Sequence, residues 1–126
     1  MPLARIEIPA GKPAAYGRDV ADTVQQALHA ALGVPMAERF QIVTEHPPAG
    51  LIIDPSYLGI VRSSEAVIVQ VFLNAGRDAP KKRLFFRTLA DALHERVGMR
   101  REDVLVSLVE VQRDDWSFGN GEAQLA

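Results

Sequence analysis

The chain repeats itself. Displaced by 65 positions, Ala10-Gly11-Lys12 falls on Ala75-Gly76-Arg77, Val20 on Phe85, Val24 on Leu89, Ala27-Leu28-His29 on Ala92-Leu93-His94 and Gly33 on Gly98. One deletion near Pro35 then sets Glu38-Arg39-Phe40 opposite Glu102-Asp103-Val104. Identities are few, but apolar positions, glycines and segment lengths agree, which marks a duplicated unit of about 45 residues, spanning 2–46 and 66–111. Such a repeat constrains the fold strongly, because the same local structure must form twice and both copies must share one core.

Each copy has the same order of elements. Leu3 to Ile8 alternates partly between apolar and polar residues, as a strand with one buried face does. Its counterpart, Ala66 to Leu73, is nearly all apolar and rich in β-branched residues, as a central strand would be. A glycine-containing turn follows each, and then the spacing predicts helices over 14–32 and 79–97. In the first helix Val20, Val24, Ala27, Leu28 and Ala31 share one face, and Arg18, Asp22, Gln25 and His29 form the solvated one. Phe85, Leu89, Ala92 and Leu93 repeat the apolar face in the second helix. Gly33 and Gly98 suit left-handed helix ends, and strands follow at Phe40–Glu45 and Val104–Val111.

Two β-α-β units of this kind predict an α+β fold: one four-stranded sheet with both helices on one face. Pro47 to Ser64 holds Pro47-Pro48, Gly50, Asp54-Pro55 and Gly59, and is expected to form turns with a short hairpin. It is not a linker, so residues 1–126 are expected to form a single domain. That length can bury roughly two thirds of its unfolded surface. The absence of cysteine removes disulfide frameworks, zinc knuckles and thiol catalysis together. A net charge of −2 with mixed signs gives no basic stripe for nucleic acid. The opening MPLARIEIPAGK lacks the build of a signal peptide, and no apolar run approaches a membrane span. The expectation is a soluble, cytoplasmic protein that binds neither nucleic acid nor membrane.

Few residues offer chemistry. His29, His46 and His94 are far apart and lack the i,i+4 spacing of metal ligands, so no metal site is expected. His29 and His94, at equivalent helix positions beside polar residues, are expected to be solvated. No glycine-rich phosphate loop or nucleophile elbow is present. Pro2 is unusual: it permits removal of Met1, leaving a secondary amine at the start of a strand. An α-amino group titrates near pH 7.7–8. Burial lowers that value and favours a general base, whereas a neighbouring carboxylate raises it and favours a general acid. The alternative is a proline that merely begins a strand.

Arg77 lies just ahead of the second helix, with Asp78 as candidate N-cap and Pro80 in the first turn. A guanidinium beside a helix N-terminus suits a carboxylate, although a surface turn residue is the plainer reading. Glu38, after Val34-Pro35-Met36-Ala37, could hold a water, tune the amine or simply face solvent. The tail Asp114-Asp115-Trp116-Ser117-Phe118-Gly119 sets two aromatics among turn formers. They are expected to dock, whether on the core edge, on a neighbouring subunit or against a site.

Taken together, Pro2 on a first strand, the duplicated β-α-β unit and the arginine after the third strand resemble the tautomerase superfamily, and within it the malonate semialdehyde decarboxylase group. The likeness runs through nearly the whole chain. Glu38-Arg39-Phe40-Gln41 stands where the decarboxylase has Asp-Arg-Tyr-Gln, followed by Leu58-Gly59, Arg62-Ser63 and the more specific Asp115-Trp116-Ser117-Phe118-Gly119. The resemblance implies catalysis without a cofactor. Pro2 would be the catalytic amine, Glu38 would activate water or position substrate, and Arg77 would bind a small carboxylate substrate. Trp116 and Phe118 would form an apolar wall. Asn74 stands near the first of two arginines in the decarboxylase and is taken as a substrate contact. Keto–enol tautomerisation, decarboxylation of a 3-oxo acid such as malonate semialdehyde, and hydration of an unsaturated acid would use the same groups. The family also implies a homotrimer with sheets facing inward. The rival reading is a non-catalytic small-molecule-binding or interaction module, since fold does not fix function.

Overall fold

The computed structural model describes residues 2–126; Met1, whose removal Pro2 permits, lies outside the described residues. The order of elements is β1 (Leu3–Pro9), α1 (Tyr16–Leu32), β2 (Phe40–His46), β3 (Val67–Asn74), α2 (Ala79–Val97) and β4 (Val104–Val111). The sheet runs β2-β1-β3-β4. Within each unit the strands are parallel, with Leu3 opposite Phe40 and Val67 opposite Val104. The units meet antiparallel through β1 and β3, where Leu3 faces Phe72. The expected pair of β-α-β units in one four-stranded sheet is therefore present.

Alternation decides what the sheet buries. Ala4, Ile6 and Ile8 of β1 and Val67, Val69 and Val71 of β3 point to the helices and are essentially inaccessible. They meet Val20, Val24, Ala27 and Leu28 of α1 and Phe85, Leu89 and Leu93 of α2 in one cluster. Each of the larger side chains contributes about 1.5–3 kcal/mol by leaving water. Gly17 admits α1 to the sheet, because a Cβ there would stand 3.2 Å from Val43 Cγ1. The helix ends match their prediction: Gly33 and Gly98 adopt φ of 70° and 69°, and their N–H groups return to the carbonyls of His29 and His94.

Three expectations need correction. The segment between β2 and β3 contains no hairpin; it makes 3-10 turns at Pro48–Gly50 and Tyr57–Gly59. Pro47, Pro48 and Pro55 withhold the N–H groups that a strand ladder requires. Arg62 instead donates to the carbonyls of Asp54, Tyr57 and Ile60, gathering this stretch around one guanidinium. His29 and His94 are exposed but not merely solvated. Their Nδ1 atoms lie 2.9 and 3.0 Å from the carbonyl oxygens of Val34 and Met99, tying each helix end to the chain beyond it. Gln25, placed by periodicity on the solvated face of α1, is only 1% exposed, because the chain after Gly33 folds back over it.

Candidate active site

The strand registers bring most of the sequence-predicted residues to one end of the sheet. Pro2 is buried immediately before Leu3, whose partners are Phe40 at the start of β2 and Phe72 near the end of β3. Glu38 lies just ahead of β2, Arg77 just beyond β3, and the tail with Trp116 and Phe118 just beyond β4. Connections into β1 and β2 and out of β3 and β4 thus meet at the same edge. His46 is at the opposite end, where its Nε2 lies 2.9 Å from Glu7 Oε2.

Each piece is held by local bonds. Asp78 caps α2 by accepting from the Lys81 N–H at 3.0 Å, as its position predicts. The loop before it is fixed by the Ala75 N–H on the Val111 carbonyl and by Glu110, which accepts from Lys82 Nζ at 2.8 Å and from the Gly76 N–H. The Lys82 hydrogen bond, partly opposed by desolvation, holds the Glu110 carboxyl below its ordinary range. Arg77 itself donates to the Asn74 carbonyl, at 3.4 Å. Among the described residues no carboxylate pairs with it. Lys12, at the equivalent position of the first unit, pairs with Glu65 and lies over the Tyr16 ring.

The tail docks on the open face of the sheet. Trp116 donates its indole N–H to Asn74 Oδ1 at 2.7 Å and stacks on Phe118, with centroids 5.4 Å apart. Phe118 in turn lies 5.5 Å from Phe40. Beneath Trp116 is a hollow of about 220 Å³ lined by Leu3, Arg5, Phe72, Val111 and Asp115. Trp116 thus lines this hollow, and Phe118 stacks on it from outside the lining. Asn74, expected to touch substrate, uses its side-chain oxygen to orient the indole. Arg5 was missed. Its signal was the alternation in β1, which sets it beside Leu3 on the open face, two residues beyond Leu3 along the strand.

Glu38 closes a turn with its N–H on the Pro35 carbonyl at 3.0 Å. Behind this turn runs a ladder of polar contacts to α1. Gln25 Nε2 donates to the carbonyls of Pro35, Met36 and Glu38 at 3.3, 3.3 and 3.1 Å. Arg39 Nη2 meets Asp22 Oδ1 at 2.6 Å, and Gln41 Nε2 donates to the Ala21 carbonyl at 2.8 Å. The Arg39 bond, again against some desolvation, keeps the Asp22 carboxyl below the usual range. Among the described residues no cluster of three or more His, Asp or Glu side chains is arranged to hold a metal.

A mixed four-stranded sheet of two β-α-β units, with a buried proline at the head of β1, defines a recognisable class of protein. The chain belongs to the tautomerase family: a family model described as "Tautomerase enzyme" matches residues 38–119. It is 37% identical over 124 residues to the probable tautomerase YrdN of Bacillus subtilis, covering 98% of this chain and 95% of that one. Its fold matches a malonate semialdehyde decarboxylase inhibited by 3-bromopropiolate with a TM-score of 0.90 and 37% identity, over 97% of this chain and 92% of the other. It also matches a fused 4-OT symmetric trimer at 26% identity and a TM-score of 0.77, over 95% and 94% of the two chains. The protein is an enzyme of this superfamily, similar to its malonate semialdehyde decarboxylase group.

Proposed function

We propose that this enzyme works without a cofactor on a small oxo acid, with the secondary amine of Pro2 as the proton-transfer group. The observation that carries the reading is the convergence of Pro2, Glu38, Arg77 and the stacked Trp116–Phe118 pair at one end of the sheet. Arg77, with no acid among the described residues to neutralise it and a capped helix beginning beside it, supplies the charge for the substrate carboxylate. Pro2 then moves a proton between the oxygen and carbon of an enol. In decarboxylation the C–C bond breaks, carbon dioxide leaves, its electron pair forms the enolate, and the Pro2 ammonium protonates that enolate. Glu38 directs water where water takes part. The likeness to malonate semialdehyde decarboxylase supports a 3-oxo acid of that kind, and the likeness to a trimeric relative supports a homotrimer.

The test is chemical. Retained Met1, or acetylation, ties up the Pro2 nitrogen as an amide and removes its lone pair. Activity toward a panel of oxo acids should fall by about 10²–10⁴-fold, the usual contribution of general acid–base catalysis. Pro2→Ala, a primary and more mobile amine, should fall between. Intact mass identifies each form, and equal turnover by the Met1-retaining chain would overturn the reading.

A further inference from the structure

The two halves of the molecule supply a comparison that a single-copy fold lacks. Both units send the chain from a glycine-capped helix through a short turn into a strand. In the first unit the Glu38 N–H closes this turn on Pro35, and in the second the Asp103 N–H closes it on Arg100, each at 3.0 Å. The second unit ties its turn to α2 through one exposed ion pair, Arg101 with Asp91. Ala90 stands there at the position of Gln25, and Arg87 and Phe86 at those of Asp22 and Ala21. This turn is anchored instead by its own buried Asp103, which accepts from the Ser63 N–H and hydroxyl at 2.8 and 2.6 Å, and it has no inward-facing amide from the helix. Only the unit that presents Glu38 has one.

Burying that amide is costly unless its hydrogens are used. Gln25 has two, and shares them among the three carbonyls on the inner side of the Pro35–Glu38 turn. One of these carbonyls belongs to Glu38 itself. Holding the carbonyl of a residue restrains the backbone from which its side chain projects.

We propose that Gln25 is a positioning residue for the reaction: it holds the Pro35–Glu38 turn so that the Glu38 carboxylate faces the site at the start of β1. The catalytic part of this proposal rests on the role assigned to Glu38 above. Two readouts separate them. Gln25→Met keeps the volume and removes both donors. Amide exchange at Glu38 should then accelerate about tenfold, whereas exchange at Asp103, the matching turn, should not change. Water-dependent turnover should drop about tenfold in kcat with KM altered less than about twofold. Gln25→Asn, which keeps the amide but shortens its reach, should fall between and serves if the methionine variant folds poorly. In the Glu38→Gln background the same change should cost nothing further, as expected of residues acting as one unit.

Unchanged exchange at Glu38 overturns the proposal whatever the rates do. Additive losses in the double variant overturn it too, because Gln25 would then support the fold and not the carboxylate. If Glu38→Gln alone leaves turnover intact, the role of Glu38 fails, and with it the catalytic part of the proposal. That failure is recognisable because Glu38 exchange still accelerates in Gln25→Met.

Discussion

Arg77 and Lys12 occupy equivalent places in the two units, yet their surroundings differ in the way that matters for binding. A cation already paired, as Lys12 is with Glu65, has little left to offer an anion. Among the described residues Arg77 has only a backbone carbonyl within reach. A charge-assisted bond to a desolvated carboxylate is worth about 1.5–3 kcal/mol. Arg77→Ala should therefore lower kcat/KM for carboxylate substrates by about ten- to a hundredfold, with the thermal midpoint nearly unmoved because no structural ion pair is lost. A large drop in the midpoint would show that the side chain serves the fold instead. Residues of this kind were legible because their chemistry and their position at an element boundary coincide: Pro2 before a strand, Arg77 before a capped helix, Trp116 in a tail of turn formers. Gln25 was not legible. Its neighbours give it a polar helix position, and only the return of 33–39 across α1 turns that position inward.

At the scale of elements, the join between α1 and β2 depends on charge. Asp22 titrates below its unfolded range because Arg39 bonds its ionised form. A depressed folded-state pKa stabilises the fold above the unfolded value of about 3.9, and the gain is lost as pH falls through the folded value. Thermal midpoints of the native chain and Asp22→Asn should therefore differ most at neutral pH and converge well below pH 4. A gap that persists there would assign the effect to packing. Salt should narrow it as well, since Asp22 is partly exposed. The helices and strands were legible because apolar period, glycine stops and a repeat all agreed on them. The stretch between β2 and β3 was not, because proline and glycine announce turns without specifying whether strands lie between them. There the arrangement is set by Arg62 and the carbonyls it collects, a tertiary detail with no local period.

The whole molecule presents one sheet face to the helices and leaves the other largely uncovered. Phe40 and Ile42 are 42% and 39% exposed on that face, and Ile68, Phe72, Leu105 and Val109 are half-buried beside them. Arg5, Gln70 and Ser107 cross this face as a polar band between the apolar rows, and the apolar surface on either side of it favours association. Light scattering at micromolar concentration should give close to three times the 13.8 kDa of one chain. Leu105→Glu, on the open face away from Trp116, should drive it toward monomer by placing a charge against apolar surface. A stable monomer in the unaltered chain would rule out the trimer. Composition and alternation made the apolar face visible in the sequence, but they could not show how far the tail covers it, since that depends on the Trp116–Asn74 bond.

That bond has a spectroscopic consequence. Trp116 is the sole tryptophan in the chain, and it lies over the hollow at the Pro2 end of the sheet. Indole emission on selective excitation therefore comes from that place alone, coloured by the stacked Phe118 and by the amide of Asn74. The protein carries its own unlabelled optical probe, whose emission reports directly on whatever enters that hollow.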